Sequence, residues 1–271
     1  MSKIVSKVVL TSNVKLFEVE APAVAKKARP GQFAILRTHE KGERVPITLA
    51  GSDPKKGTVS LVFAEVGKSS IQLGRLEEGD EILNFAAPLG KPAPMENFGK
   101  VMCVGGGTFI GALLYHAMDL KALGNEVVIV LGARSEDHLF FVEEARKIAD
   151  ELYVSTDDGR LEYTGLGFLE GLFEESSYNH VFTIGPTSMQ RMIADMTKPF
   201  GIPTSVNLFP IMVDGMGMCG ACRVTVGGET KFACVDGPDF DGHQVDYNQL
   251  SSRMKVYTPH EKICMVLSEE A

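Results

Sequence analysis

From its start to about residue 98, the chain places apolar positions in short runs with a two-residue rhythm. Val5–Val9, Val14–Val19, Gln32–Arg37, Pro46–Ala50, Thr58–Val66 and Glu81–Phe85 are rich in β-branched or alternating residues, the pattern of half-buried strands. Pro30-Gly31, Gly51-Ser52-Asp53-Pro54, Gly79-Asp80 and Pro88-Leu89-Gly90 punctuate them as turns. Six short strands without a long helix predict a six-stranded antiparallel β-barrel over 1–98. The rhythm then changes. Val101–Val104 is a short apolar run; past Gly105-Gly106-Gly107, Thr108 is placed to cap a helix with Ile110, Leu113, Leu114, Ala117 and Met118 at its apolar positions. Val127–Leu131, Leu152–Val154 and Val181–Ile184 predict further buried strands, with helices over His138–Asp150 and Pro186–Met196. Such alternation predicts a doubly wound parallel α/β sheet over 99–203, with its ligand edge at the strand C-termini. Residues 204–271 hold a glycine-rich loop, a strand at Arg223–Val226 and the acidic stretch Val235–His243. So short a module has little core of its own and is expected to be held by a bound cluster.

Composition narrows the function classes. The chain has 271 residues, 44% hydrophobic and 23% charged, which is ordinary globular material. A net charge of −8 argues against a nucleic-acid partner. No apolar stretch reaches membrane-spanning length, and Met1-Ser2-Lys3-Ile4-Val5 lacks a signal-peptide pattern, so a cytoplasmic protein without a membrane partner is expected. Three of the five cysteines surround one loop, which is not a disulfide framework. Cys103 and Cys264 sit in apolar runs and are expected to be buried thiols. His116, His180, His243 and His260 form no constellation and are expected to be structural or solvated.

That loop carries the sharpest chemistry. Asp214, Cys219, Cys222 and Cys234 follow the spacing D-x4-C-x2-C-x11-C, which matches the plant-type [2Fe–2S] pattern in all but its first ligand. Gly215, Gly217 and Gly220 stand among the ligands, where bare backbone can fold its N–H groups over sulfides. Zinc is the first alternative, although no second CxxC or histidine pair accompanies Cys219 and Cys222. A redox dithiol is the second.

Nucleotide signals are weaker one by one. Gly105, Gly106, Gly107 and Thr108 lie between a strand and a helix, where backbone N–H groups can meet a pyrophosphate, though the spacing is not G-x-G-x-x-G. Gly132, Ala133 and Arg134 end the next strand, and Gly185, Pro186 and Met189 follow a later one. Three strand ends on one sheet edge make a site; any one of them is equally a tight turn. Asp157 can accept from ribose hydroxyls or simply belong to the turn Asp157-Asp158-Gly159. In the barrel, Gly67, Lys68, Ser69 and Ser70 can hold a diphosphate or merely start a helix. Arg44, Val45, Pro46, Ile47 and Thr48 offer a cation and a hydroxyl along a strand that can line a flavin.

A barrel, an α/β nucleotide unit and a plant-type cluster loop, in that order, resemble the ferredoxin–NADP reductase-like flavoproteins over nearly the whole chain. Pro30-Gly31-Gln32-Phe33 is similar to that family's barrel motif, and Gly185-Pro186 with Met189 to its segment near the nicotinamide. The resemblance implies FAD in the barrel, lined by Arg44–Thr48, Phe63, Ala64 and Gly67–Ser70; NAD(H) on the α/β unit; and [2Fe–2S] at the C-terminal module. Two branches of the family carry such a cluster. One is the electron-transfer subunit of NAD-dependent dihydroorotate dehydrogenase. The other is the small subunit of the electron-bifurcating NADH-dependent reduced ferredoxin:NADP+ oxidoreductase, whose partner is a larger, glutamate-synthase-like flavoprotein with its own clusters that passes electrons to ferredoxin. Asp214 in place of the first cysteine, the loop Pro210–Cys219 and the strand Glu43–Thr48 resemble the second branch more closely. Two departures stand out: Val45 precedes Pro46 with Arg44 one position earlier, and Phe109 occupies a place usually held by glycine. The expectation is therefore a heterodimeric oxidoreductase subunit. It would pass single electrons between a partner flavin and its own cluster and FAD, with hydride exchange with NAD(H). A zinc-stabilised nucleotide-binding module is the alternative from another class.

Overall fold

The computed structural model describes residues 2–269, with side chains described to residue 265. The first unit contains β1 (Ser2–Val9), β2 (Val14–Glu20), the short helix α1 (Pro22–Ala25), β3 (Phe33–Arg37), β4 (Val45–Asp53), β5 (Thr58–Ala64), α2 (Lys68–Gly74), β6 (Glu81–Ile82) and β7 (Asn84–Leu89). Its strands form one antiparallel sheet in the order β6-β1-β2-β5-β4-β3-β7, a near-closed barrel of seven strands, not six. The extra strand arises where one was predicted. The run Glu81–Phe85 breaks at Leu83, so that Glu81 and Ile82 pair with β1 while Asn84 and Phe85 pair with β3 at the other end of the sheet. One run thus supplies both terminal strands of the sheet. Alternate residues turn inward to a core of Ile4, Phe17, Leu36, Leu49, Leu61 and Phe63, with Phe17 and Phe63 edge-to-face at 5.0 Å.

The second unit runs β8 (Lys100–Gly106), α3 (Ile110–Ala122), β9 (Glu126–Ala133), α4 (Val142–Ile148), β10 (Glu151–Thr156), β11 (Tyr163–Thr164), α5 (Leu169–Glu175), β12 (His180–Ile184), α6 (Thr187–Thr197) and β13 (Thr204–Asn207). The sheet order is β11-β10-β9-β8-β12-β13, with β16 (Asp239–Asp241) added antiparallel beyond β13. Strand alternation explains the double winding. Val101, Cys103, Val127, Ile129 and Leu131 face α3 and α4 in one core, while Met102, Val104, Val128 and Val130 meet α5 and α6 in another. Each such side chain gains roughly 1.5–3 kcal/mol on burial. The chain steps from β8 outward to β9 and β10, then returns to β12 on the other side of β8. Ligand crevices form at such a reversal.

Three local expectations are corrected. Thr108 does not cap a helix: it sits inside a 3-10 turn, Gly107–Phe109, and α3 begins at Ile110 without a side-chain cap. The helix expected over His138–Asp150 shrinks to α4, behind a separate 3-10 turn at Glu136–His138, because Phe141 takes φ 61° and breaks the run. Met118, assigned to the apolar positions of α3, is 55% exposed.

The remaining elements are the hairpin β14 (Arg223–Val226) and β15 (Glu229–Phe232), the short turn of helix α7 (Ala233–Asp236), α8 (Tyr247–Met254) and α9 (Thr258–Glu269). They do have a core, shared with their neighbours: Cys222, Val224, Cys234 and Leu250 pack with Phe33 and Ile35 of the barrel and with Val206 of β13. Cys103 is buried as expected, and burial pushes its thiol up to about 12. Cys264 is only half-buried.

His180 gives the fold a pH sensitivity. Its ring stacks on Phe182 at 4.4 Å and packs against Phe98, its Nε2 lies 2.8 Å from Ser205 Oγ, and burial holds its pKa down at about 4. A histidine depressed in the folded state binds its proton more readily when unfolded. The resulting stability is present above the unfolded value, ~6.5, and is lost as pH falls from there toward 4, by up to about 3 kcal/mol. His180→Phe is expected to flatten the fall in Tm between those pH values, measured by thermal unfolding.

Candidate functional site

One cavity of about 1350 Å³ opens between the barrel, the start of α3 and the chain leading into the cysteine loop, larger than the range of roughly 300–1,000 Å³ typical of small-ligand pockets. Arg44, Val45, Pro46, Ile47, Thr48, Phe63, Ala64, Gly67, Lys68, Ser69 and Ser70 all line it, and so does Thr108. Strand β4 brings Val45, Pro46, Ile47 and Thr48 into the wall by pairing with β3, Thr48 opposite Phe33 and Ile47 opposite Ala34, and Arg44 directly precedes it. Around Gly67 the backbone is already satisfied in part: Ser70 Oγ accepts from the Gly67 and Val66 amides at 3.0 Å, and Ser69 Oγ donates to Glu43 Oε2 at 2.8 Å. Lys68 adds a cation to this wall.

The far wall escaped the sequence reading. Asn207, Leu208, Phe209, Pro210, Met212 and Val213 line the cavity, as do Tyr257, His260 and Cys264 of the C-terminal segment. Phe209 stacks on Phe109 with centroids 4.2 Å apart and planes at 29°. The signal that could have found this wall is the apolar run Leu208–Val213 placed directly before Asp214.

The nucleotide residues share one edge. Gly105 and Gly106 end β8, Gly132 and Ala133 end β9, and Gly185 follows β12. A Cβ on Gly106 would sit 3.1 Å from the Gly132 carbonyl and 3.2 Å from Met189 Sδ, so a side chain there would crowd the neighbouring strand end. Gly107 takes φ 60° with nothing within 4 Å of a would-be Cβ, which leaves its backbone open to a ligand. Asp157 is exposed, its amide donating to Ala133 O at 3.0 Å, and Asp158 N donates to Arg134 O at 3.2 Å. Pro186 starts α6, where Gln190 Nε2 donates to Gly185 O and to Asn207 O, tying this edge to the chain lining the cavity.

The cysteine loop lies beyond that chain, in two halves. Cys222 and Cys234 are buried, their Sγ atoms 3.2 Å apart, and burial together with Cys222 pushes the Cys234 thiol up to about 12. Cys219 is exposed. Asp214 accepts from Met216 N at 2.8 Å and from Cys219 N at 2.6 Å; the Met216 amide first of all holds its carboxyl below the usual range. Gly215, Gly217 and Gly220 all take positive φ. Among the described residues no three of His, Cys, Asp and Glu converge as a metal cage, so the carboxylate end and the buried thiol pair stand apart. The donor set nonetheless fits an iron–sulfur group: a carboxylate and two thiols on one glycine-folded loop and a third thiol in α7, with two of the three thiols already a close buried pair.

Comparison with known proteins agrees with this arrangement. Residues 210–246 match the iron–sulfur cluster binding domain of dihydroorotate dehydrogenase B. The chain is 46% identical over 265 residues to a dihydroorotate dehydrogenase B (NAD(+)) electron transfer subunit homolog of Thermotoga maritima, covering 97% of this chain and 94% of that one. It is 28% identical, over 90% of its length and 97% of the relative's, to the dihydroorotate dehydrogenase B electron transfer subunit of Desulforamulus reducens. The chain belongs to this electron-transfer-subunit family. A solved chain of NADH-dependent reduced ferredoxin–NADP oxidoreductase, studied for flavin-based electron bifurcation, superposes with a TM-score of 0.93 at 44% identity, covering 98% of this chain and 96% of that one. The protein is thus an oxidoreductase electron-transfer subunit with an iron–sulfur domain, and FAD, NAD(H) and an iron–sulfur cluster are the cofactors this family and fold support. Such a subunit implies a larger catalytic partner. Among the described residues no helix is long and apolar enough to cross a membrane.

Proposed function

We propose that this electron-transfer subunit is the small subunit of an electron-bifurcating, NADH-dependent ferredoxin:NADP+ oxidoreductase. One observation carries the reading: the segment Asn207–Val213 lines the large cavity and runs without a break into Asp214 and the cysteine loop. Whatever fills the cavity therefore neighbours whatever the loop holds. FAD in the cavity would supply hydride exchange with NAD(H) on one side and single-electron exchange on the other. Thr48 and the β4 backbone would position it, with Arg44 and Lys68 meeting its phosphates. Gly105–Thr108, Gly132–Arg134, Asp157 and Gly185–Met189 would hold the dinucleotide at the sheet edge, with Thr108 common to both sites. Asp214, Cys219, Cys222 and Cys234 would hold a [2Fe–2S] cluster. Loading needs Asp214 released from the loop amides or reaching iron while keeping them. The partner is a larger glutamate-synthase-like flavoprotein in a cytoplasmic heterodimer, and ferredoxin is reduced through that partner.

The family match at 210–246 supports a second reading, the electron-transfer subunit of a dihydroorotate dehydrogenase. The 46% relative carries the dihydroorotate name as a homolog, but the 44% match to the solved ferredoxin–NADP oxidoreductase chain, against 28% for the Desulforamulus reducens dihydroorotate subunit, favours the first. Affinity purification from the native host separates them. A glutamate-synthase-like flavoprotein whose complex is reduced by NADPH supports the first; a complex reduced by dihydroorotate overturns it.

A further inference from the structure

Two arginines that are not among the candidate ligands reach the cysteine loop. Arg253, on the last turn of α8, donates from Nη2 to the carbonyl of Ala221 at 3.0 Å, and its Nε is buried without a hydrogen-bond partner. Ala221 lies between Cys219 and Cys222, and its own amide points at Cys219 Sγ at 3.5 Å. Arg223 Nη1, in turn, comes within 2.9 Å of where a Cβ on Gly220 would stand. The guanidinium thus lies directly over that glycine. Among the described residues neither arginine has a carboxylate within 4.0 Å, although the whole chain carries a net charge of −8. Helix α8 is itself fixed there: Asp246 accepts from Gln249 N at its start, Thr225 Oγ1 donates to Gln249 Oε1, and Leu250 packs in the core of Cys222 and Cys234.

We propose that Arg253, assisted by Arg223, sets the reduction potential of the cluster held by this loop. The inference rests on the proposed cluster site and adds residues outside its ligand set. Three thiolates and a carboxylate make the loaded loop strongly anionic, and reduction adds one further electron. In the proposed cycle that electron comes from a reduced flavin. Two guanidiniums without neutralising carboxylates, one of them partly desolvated, favour the more negative state and raise the potential. The cluster becomes the easy acceptor, which directs the downhill electron into this subunit. Arg253 is a positioning residue as well, since it staples Ala221, whose amide points at Cys219 Sγ; the charge-keeping Arg253→Lys separates the charge from the staple.

The test is a dithionite titration of the anaerobic full-length protein, with cluster reduction followed by electron paramagnetic resonance. Arg253→Gln is expected to weaken reduction about tenfold, which is about 59 mV for a one-electron couple, with the signal shape retained. Arg253→Lys, which keeps the charge, is expected to stay at the parent potential. An unshifted potential in a fully loaded Arg253→Gln overturns the proposal, and so does an equal shift in Arg253→Lys. If Arg253→Gln loses its cluster, Arg223→Gln decides: a lowered potential supports the proposal and an unchanged one overturns it. A parent protein that binds no iron removes the cluster reading itself, a failure distinct from these.

Discussion

Cys222→Ala is expected to strip the protein of iron while leaving its flavin in place. Cys222 is 1% exposed and its sulfur lies 3.2 Å from that of Cys234. Both thiols sit in the core shared by the barrel, β13 and α8. Burial raises the Cys234 thiol to about 12, so that thiol stays protonated until a metal takes the place of its proton. Removing one member leaves a single buried sulfur, which cannot close the site with the exposed Cys219. None of the described cavity walls is formed by Cys222, so flavin retention separates cluster loss from unfolding. Iron analysis and the visible spectrum of anaerobically purified protein check it. Full iron in Cys222→Ala would remove that residue from the ligand set.

Gly215→Ala is the second large effect expected, and it acts through the contact between loop and barrel. Gly215 takes φ 72°, and a Cβ there would lie 2.8 Å from Ile35 Cγ1 and 3.0 Å from Leu89 Cδ1. Left-handed backbone costs a side chain roughly 1–2 kcal/mol, and forcing a methyl into packed core costs about 1–3 kcal/mol more. The loop must lift from β3 and β7, away from the cavity wall it continues. Gly228→Ala is the control: φ is 78° but nothing lies within 4 Å, so only the backbone cost applies. Thermal unfolding and stopped-flow reduction by NADH are expected to show a larger Tm loss and slower cluster reduction in Gly215→Ala than in Gly228→Ala. Equal effects would mean that the close approach of loop to barrel carries nothing.

The architecture was legible because its periods are clean. Val127–Leu131 is apolar at every position, and the structure shows why: alternate residues fill two different cores. The barrel count was off by one because a strand that divides between two partners, as Glu81–Phe85 does, carries one pattern and two pairings. Boundaries failed where a single residue overrides propensity, as Phe141 does at the start of α4. At the candidate site the barrel wall was legible and the wall after β13 was not. Arg44, Thr48, Lys68 and Thr108 were named from sequence and share one cavity; Phe209 and Met212 look like core residues until the chain folds them over it. Arg253 stands 31 residues beyond Cys222, and no local motif announces its hydrogen bond to Ala221.

One cavity and one loop act together, and the visible spectrum of the anaerobically purified protein before and after NADH tests that most directly. Flavin bands over a broad iron–sulfur background, both bleached by NADH, are the predicted result. A colourless protein that retains zinc after flavin and iron–sulfur reconstitution would contradict it.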